Sequence, residues 1–439
     1  MALVFRLLAA STLLGALACS SPDDGPPSND VPDFTGTLAE QPSANPPAAN
    51  SNGGSAPTPG TDVTGGDTET LPDPVLVPST PSGTGGSPAA AGGAGGAPAA
   101  GGAPAEGGAP AAGGAPPVVN PPAVAPPSGL PVAPGAGGIA QPSGPATNLR
   151  VLNWAGFRSA VSYTLDDTNQ TQIDHFDELM ALNVKFTFYL WTNKTNEIAN
   201  PVWGRALAAG HELGNHTRSH RPSGAAGLDQ DTDDGERDIE QRFNTTVFTM
   251  ASPNGAPDYV NIASTRYLIN RGTNGGQVAP NDGTNPFSVP TFIPAQGAQA
   301  SAFNTLVDQG RTNGTWHTVL VHGFLLNGNP VNGEFRPVEI GQFTQAVNYT
   351  KSFGDVWIDT VVDVASYWRG QIAFSNGQRT PNGDSTTFAW TLPAHFPPGK
   401  FLRVTVDGGT LTQDGTPLVW NDHGYYEIAL DHSPVILSP

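Results

Sequence analysis

Short apolar runs alternate with helix-like patterns between residues 150 and 370, and this alternation limits the possible folds most. The strand-like runs cover residues 160–165, 184–191, 247–250, 316–321 and 356–358. The helix-like runs cover residues 172–182, 233–243, 259–269, 298–307, 338–349 and 360–368. Such repeated alternation predicts parallel strands with helices outside. We therefore expect an α/β fold, a (β/α) barrel whose reactive groups lie at the carboxyl ends of the strands.

The pattern changes after Gly370. Strand-like segments of alternating polarity cover residues 388–392, 401–406 and 425–430, with turn dipeptides at 407–408 and 414–415. They predict a small all-β module over residues 372–439. Its aromatic side chains could stack on sugar rings, although such residues more often form the core of a small sandwich. These aromatic residues are Trp390, Trp420, Tyr425 and Tyr426.

Residues 20–149 have the composition of a linker. They contain no Lys, Arg, His, Trp or Tyr, and their only aromatic residue is Phe34. A segment rich in Gly, Ala, Pro and Ser cannot bury enough apolar surface to offset the entropy lost on ordering it. We therefore predict a disordered linker that precedes a folded domain at residues 150–371.

The first 19 residues resemble a bacterial lipoprotein signal. Arg6 precedes an apolar stretch that is too short for a permanent membrane span, and small residues precede Cys19. An ordinary signal peptide with a chance cysteine is the alternative. Because Cys19 is the only cysteine, an intramolecular disulfide is excluded. The expected protein is exported, lipidated at Cys19, and attached to the outer membrane or cell surface.

The charge of the chain excludes some partners. The sequence has 38 acidic and 19 basic side chains, which gives a formal net charge of −19. Such a balance argues against nucleic acid and against anionic lipid surfaces as partners. We expect membrane attachment only through the lipid anchor.

Three polar segments follow apolar runs and carry side chains that bind metals or transfer protons. Asp166 and Asp167 form one segment, His216 and His220 the second, and His322 the third. On a helical turn, a spacing of four residues would put both imidazoles of the second segment within reach of one ion. Each segment also has a structural interpretation, because adjacent aspartates cap turns and histidines occur in cores.

Together the segments resemble the polysaccharide deacetylases, carbohydrate esterase family four, which includes nodulation-type chitooligosaccharide deacetylases. Residues 164–167 (Thr-Leu-Asp-Asp) and 216–220 (His-Thr-Arg-Ser-His) resemble its first two motifs. Residues 320–322 (Leu-Val-His) resemble its final Leu-x-His motif, and 251–255 (Ala-Ser-Pro-Asn-Gly) stand where the family has Arg-x-Pro-x-Gly. The resemblance covers residues 158–369 and implies the distorted, incomplete barrel of that family.

The resemblance also implies roles for the site residues. A divalent metal is expected, with zinc preferred and cobalt or another divalent ion as the alternative. The implied metal ligands are Asp167, His216 and His220. Asp166 would be the catalytic base and His322 the general acid, while the backbone N–H of Asn254, next to Pro253, would bind the oxyanion. The implied reaction removes acetyl groups, N-acetyl before O-acetyl, from a polysaccharide or oligosaccharide.

The sequence departs from the family at several positions. Ala251 replaces the arginine that normally orients the base, and Arg266 or Arg271 could supply a guanidinium instead. Asp282 and Trp316 are weak candidates for the fourth motif, and both are better explained as loop and core residues. The missing arginine favours an alternative function, a carbohydrate-binding surface lipoprotein with a degenerate site. Hydrolysis of a non-glycan amide on the same scaffold is a third possibility.

Overall fold

A computed structural model of the chain describes residues 128–331 and 333–439. The predicted signal peptide, the lipidation site Cys19 and the linker up to residue 127 lie outside the described residues. A first short strand, β1 (Arg150–Val151), precedes the barrel. The barrel strands are β2 (Ser159–Asp166), β3 (Phe186–Leu190), β4 (Glu212–Asn215), β5 (Thr249–Ala251), β6 (Ile269–Arg271), β7 (Trp316–Val321) and β8 (Val356–Ile358).

All seven barrel strands are parallel and form one sheet in the order β6-β5-β4-β3-β2-β7. β3 and β8 share one edge of β2. β8 pairs with the amino-terminal half of β2, and β3 pairs with the carboxyl-terminal half of β2. Between β6 and β7, residues 289–292 replace a regular strand: Val289 bridges to Arg271, and Phe292 bridges to Val319. The barrel is therefore distorted, as the sequence predicts.

In the described part of the chain, nine α-helices cover the barrel. They are α1 (Gln170–Asp174), α2 (Phe176–Ala181), α3 (Thr195–Ile198), α4 (Val202–Ala208), α5 (Leu228–Phe243), α6 (Asp258–Ser264), α7 (Ala300–Asn313), α8 (Ile340–Ser352) and α9 (Val361–Ser375). Their apolar faces and the strands form a core that includes Trp203, Phe303 and Phe343. None of the helices among the described residues is long and apolar enough to cross a bilayer.

The strand register brings the polar segments to one edge. Leu165 on β2 pairs with Val321 on β7, so the residues that follow them, Asp166 and His322, leave the sheet at the same level. On the other side, β4 ends at Asn215, which pairs with Leu190 of β3. Because parallel strands share one direction, their carboxyl ends form a single rim.

Some predicted elements differ in extent. The helix-like run 172–182 is interrupted at His175, where α1 ends and α2 begins. The run 259–269 is helical only to Ser264, and its last residue starts β6. The apolar positions of this run support a helix and a strand equally well, so the pattern did not reveal the change.

The C-terminal strands form an all-β module, as predicted. They are β9 (Gln378–Asn382), β10 (Ser385–Ala389), β11 (Phe401–Thr405), β12 (Thr410–Gln413), β13 (Thr416–Pro417), β14 (Tyr426–Ala429) and β15 (Val435–Ser438). One sheet has the order β1-β11-β14, and the other has the order β13-β12-β15-β10-β9. The Asp414-Gly415 turn joins β12 and β13 with both residues in the left-handed region.

The module packs against the amino-terminal ends of the barrel strands. Ala160, Ile269, Trp316 and Trp357, from the amino-terminal parts of four barrel strands, share one core with the β-module strands. This core lies at the end of the barrel opposite the rim. Of the four aromatic residues of the module, Trp390, Tyr425 and Tyr426 are buried. Burial supports a role in the core of the module over stacking on sugar rings. The indole N–H of Trp420 donates to the carbonyl of Ile139.

Residues 128–149, which composition assigns to the linker, make defined contacts with the module. The amide of Ile139 donates to Asp422 O over 2.8 Å, and the amide of Thr147 donates to Gly408 O over 3.1 Å. These bonds depend on backbone groups, which composition does not reveal. The predicted domain boundaries stay predictions, although β1 belongs to a module sheet and α9 continues to Ser375.

We predict that Arg403 is needed for stability. Its buried guanidinium donates to Glu427 over 3.0 Å and to Ala155 O over 2.9 Å. Arg403→Met would leave the buried Glu427 carboxylate unpaired, which should lower the free energy of unfolding by about 3–5 kcal/mol. Urea denaturation measures this change. Arg150→Met is the control, because its ion pair with Asp407 is exposed; equal losses in both variants would contradict the prediction.

Candidate active site

The two adjacent carboxylates are separated by a sharp turn of the backbone. Asp166 is the last residue of β2 and is buried. Asp167 and Thr168 follow with φ of 75° and 54°, a left-handed conformation that is uncommon for residues other than glycine. The Thr168 hydroxyl accepts a hydrogen bond from the amide of Trp191 over 2.8 Å, which holds the turn. As a result the two carboxylates have different partners.

The segment that carries both histidines is a loop. β4 ends at Asn215, and residues 216–220 have no helical structure. The expectation that His216 and His220 lie on a helical turn is therefore wrong. Left-handed φ angles of 63° at Thr217 and 51° at His220 turn the chain so that both imidazoles still face the same point. Their ring centroids are 4.7 Å apart.

The loop is fixed from below by β4 and α5. The Asn215 side chain donates to Thr232 O over 2.9 Å, and its oxygen accepts the amide of Thr217 over 2.8 Å. The carboxylate of Asp231 accepts the amide of Ser219 over 3.1 Å. At Gly235 of α5, a Cβ atom would lie only 2.7 Å from Asn215 Oδ1 and from the carbonyl carbon of Thr217. The loop is thus seated directly on the α5 backbone.

Asp167, His216 and His220 converge on one point. Asp167 Oδ1 lies 3.3 Å from His216 Nε2 and 3.5 Å from His220 Nε2. His216 Nδ1 is 2.9 Å from the carbonyl of Ala251, which can only accept, so Nδ1 carries the proton. In the neutral ring, the Nε2 lone pair therefore faces the carboxylate oxygen, which is buried and has no hydrogen-bond partner.

This donor set fits a divalent cation. Two electron pairs that face each other over 3.3 Å repel unless a proton or a cation lies between them. One carboxylate and two imidazoles are a common set of three protein ligands for zinc, and such a site leaves a further position open. The Ala251 carbonyl plays the usual part of a group that fixes the tautomer and orientation of a ligating histidine.

Asp167 and His220 have lowered pKa values, so at neutral pH these two candidate ligands are free of the proton that would compete with a cation. Burial alone would raise the pKa of Asp167, but His216, His322 and His220 outweigh it and hold that pKa well below its usual range. Burial, with His216 beside it, lowers the pKa of His220 to about 4. For His216, burial is outweighed by the carboxylates of Asp166 and Asp167, which raise its pKa.

Asp166 has a partner of its own. Arg271, the last residue of β6, is completely buried, and its Nη2 donates to Asp166 Oδ2. Its Nη1 donates to Gly272 O over 2.9 Å, and the guanidinium lies 5.4 Å from the centre of the Tyr189 ring. Of the two arginines that the sequence suggested, Arg266 instead pairs with Asp229 and Asp233. The second carboxylate oxygen of Asp166 is buried without a hydrogen-bond partner.

His322 follows β7 at the same rim. Its carbonyl accepts from Asn169 Nδ2 and from Gln172 Nε2, each over 2.7 Å, which ties the end of β7 to the loop and helix after β2. Its Nδ1 is buried without a partner, and Phe335 contacts the ring edge-on at a centroid distance of 5.2 Å. Burial lowers the pKa of His322, while Asp166 and Asp167 partly oppose this shift. The ring is therefore mainly neutral near pH 7, whereas a general acid has to carry a proton when it donates.

The third motif forms a tight turn at the carboxyl end of β5. Pro253–Gly255 is a single 3-10 turn in which Asn254 has a φ of 54° and is exposed. Gly255 is required there, because a Cβ atom would lie within 2 Å of the Thr273 hydroxyl. The turn projects from the same rim as the carboxylates and imidazoles.

Sequence reasoning missed several residues that shape the site. Trp191 stacks on the His220 ring at 4.8 Å, and Lys194 Nζ lies 5.0 Å from the Trp191 ring. Apolar patterning placed Trp191 in a strand and gave no sign of this contact. The weak fourth-motif candidates serve structural roles: Trp316 donates to Ser162 over 3.1 Å in the core, and Asp282 accepts the amides of its own turn.

We predict that Gly235→Ala weakens cation binding. The added methyl group would push the loop of His216 and His220 away from Asp167, and an affinity loss of about 10- to 100-fold for Zn²⁺ is expected. Isothermal titration measures it. Gly204→Ala is the matched control, since it adds the same group to helix α4 in open space. An unchanged affinity in Gly235→Ala would show that the loop does not depend on this contact.

Comparisons with known proteins agree with the motifs. A family model described as polysaccharide deacetylase matches residues 157–268. The search of curated proteins found no match. Solved structures with a similar fold include the Puue allantoinase, which is 14% identical with a TM-score of 0.41 over 50% of this chain and 93% of that chain.

Two further solved structures are a family 4 acetyl xylan esterase and a putative polysaccharide deacetylase. The esterase, from Clostridium thermocellum in complex with a cobalt ion, is 20% identical with a TM-score of 0.32 over 47% of this chain and 89% of that chain. The second, from Mycobacterium smegmatis, is 16% identical with a TM-score of 0.38 over 53% and 95%. By the family match and its own motifs, this chain carries a polysaccharide deacetylase domain, as the sequence predicts.

Proposed function

We propose that this protein is a metal-dependent deacetylase that removes acetyl groups from a polysaccharide, with N-acetyl groups preferred to O-acetyl groups. The observation that carries the proposal is that two neighbouring carboxylates have different partners. Asp167 faces two imidazoles as a third ligand would, while Asp166 faces an arginine and stays outside the ligand set. A hydrolase needs both a bound cation and a separate base, and these side chains supply both.

Asp167, His216 and His220 would hold the cation, for which zinc is our first choice and cobalt the second. When bound, the cation would polarise the acetyl carbonyl and lower the pKa of a water molecule. His216 would enter the site in one tautomer because its Nδ1 is committed to Ala251 O. Trp191 would hold the His220 ring by stacking.

Asp166 would act as the base. The buried Arg271 guanidinium holds the carboxylate by a charge-assisted hydrogen bond and engages only one of its two oxygens. The other oxygen is free to accept a proton from the attacking water. The amide N–H of Asn254, in its exposed turn on the same rim, would donate to the developing oxyanion, and Pro253 fixes the start of that turn.

His322 would protonate the leaving nitrogen or oxygen. Because burial keeps the ring neutral at rest, it has to gain a proton before it can donate one. The proton that the water loses to Asp166 is the available source, so acid and base would work in sequence. The products are acetate and the free amine or hydroxyl of the sugar.

The alternative function, a catalytically degenerate carbohydrate-binding lipoprotein, rests on Ala251 in the place of an arginine. The guanidinium beside Asp166 removes the main support for that alternative. For localisation, we propose export and lipidation at Cys19, with the linker that follows Cys19 as a tether that lets the domain reach an acetylated surface or environmental glycan. Mass spectrometry of the mature N-terminus tests this part independently.

We predict that Asp166→Asn stops catalysis and keeps the metal, whereas His216→Ala loses the metal. Acetate release from a panel of acetylated glycans, with and without chelator, measures activity, and elemental analysis measures metal content. His432→Ala is the control, because this exposed histidine lies on the β module. A metal-loaded, fully active His216→Ala protein would refute the ligand assignment.

We predict that the cation competes with one proton near neutral pH. The pKa of His216 is raised above its ordinary 6.5, whereas Asp167 and His220 are already deprotonated at pH 7. Below the His216 pKa, the apparent affinity for Zn²⁺ should fall about tenfold per pH unit, and above it the affinity should level off. Titrations against a competing chelator between about pH 5.5 and 8.5 measure the slope. An affinity that does not change with pH in this range would contradict the prediction.

A further inference from the structure

At one level of the barrel, two neighbouring strands end in a small and a large buried side chain. Ala251 ends β5 and Arg271 ends β6, and their Cα atoms are register partners. Both residues are fully buried. The guanidinium thus reaches Asp166 from the strand next to the one that carries the third motif.

The Arg271 side chain is committed to Asp166. Among the described residues, Asp166 is the only carboxylate that pairs with Arg271. The guanidinium also contacts the Gly272 carbonyl and the Tyr189 ring, while its Nε has no hydrogen-bond partner there. A buried guanidinium needs such a counter-charge, and a buried carboxylate needs it equally. The two groups therefore fix each other's position.

Asp166 and Asp167 compete for the same place in the cluster. Asp166 Oδ2 lies 3.7 Å from His216 Nε2, and Asp167 Oδ1 lies 3.3 Å from that same nitrogen. By distance alone, either carboxylate could share a cation with His216. The difference is that Oδ2 of Asp166 is occupied by Arg271, while Oδ1 of Asp167 has no hydrogen-bond partner.

We propose that Arg271 is a positioning residue that decides which of the two carboxylates becomes a ligand. By holding Asp166 Oδ2, it keeps Asp166 out of the coordination sphere and leaves its other oxygen available as a base. Asp167 is then the only one of the two that can join His216 and His220. This inference rests on the proposed function, because it assumes a cation at the three ligands.

The test uses Arg271→Met, which retains most of the side-chain volume and removes the charge. Freed from its partner, Asp166 should move towards the cation. The visible absorption spectrum of the Co²⁺-loaded variant should then differ from that of the wild type, and replacing Asp166 by Asn in the same variant should remove the difference. Acetate release should fall by about 10- to 100-fold or more, with Co²⁺ still bound.

The second variant moves the guanidinium from β6 to β5. Ala251→Arg combined with Arg271→Met returns a guanidinium to the same level from β5, and it should restore the wild-type Co²⁺ spectrum and activity. It also restores the buried counter-charge, so it keeps the test valid if the single variant does not fold. Arg266→Ala is the control, since this arginine contacts Asp229 and Asp233 instead and should leave spectrum and activity unchanged.

Two results would overturn the inference. One is an Arg271→Met protein with a wild-type Co²⁺ spectrum and activity. The other is a folded double variant that binds Co²⁺ but lacks the wild-type spectrum. The spectra need no substrate, so they remain informative if no glycan in the panel is deacetylated, a result that would count against the proposed function alone.

Discussion

Two adjacent carboxylates at the end of a buried strand are the constraint on which the rest of the site depends. Charged groups removed from water must be paired, and a single partner cannot serve both. The chain meets this constraint with a left-handed turn at Asp167, and each carboxylate then has its own nearest partner. Arg271 stabilises one carboxylate, and the imidazoles of His216 and His220 face the other.

Both the turn at Asp167 and the histidine loop contain strained backbone, and the histidine loop is supported from underneath. Residues of the two ligand-bearing loops adopt left-handed conformations, each of which costs on the order of 1–3 kcal/mol when the residue is not glycine. They are Asp167, Thr168, Thr217 and His220. Side chains of β4 and the backbone of α5 hold the histidine loop, while the β module closes the opposite end of the barrel. Stability and chemistry thus occupy opposite ends of the same strands.

The sequence predicted the parts of the fold that have a strong period. The runs 316–321 and 356–358 match β7 and β8 because they are short and rich in β-branched, aromatic and other apolar residues. The motifs also named Asp167, His216 and His220 as one group, and the structure brings their potential ligand atoms within 4.8 Å of one another. The loop conformation of residues 216–220 was not predicted, because left-handed residues leave no periodic signal in a sequence. The strand β6 was not predicted either, because its first residue continues a helix-like pattern.

Arg271 shows most clearly what a linear motif cannot express. The contact with Asp166 joins residues 105 positions apart, and it depends on the register between β5 and β6, which no local pattern encodes. A search for arginine at position 251 finds alanine and suggests a degenerate site. In the barrel, however, the register partner of Ala251 is Arg271, whose guanidinium reaches Asp166 from β6. When strands are parallel and in register, the position of a side chain on the rim matters more than the strand that carries it. A substituted motif in such a fold therefore has to be judged together with the residue paired to it on the neighbouring strand.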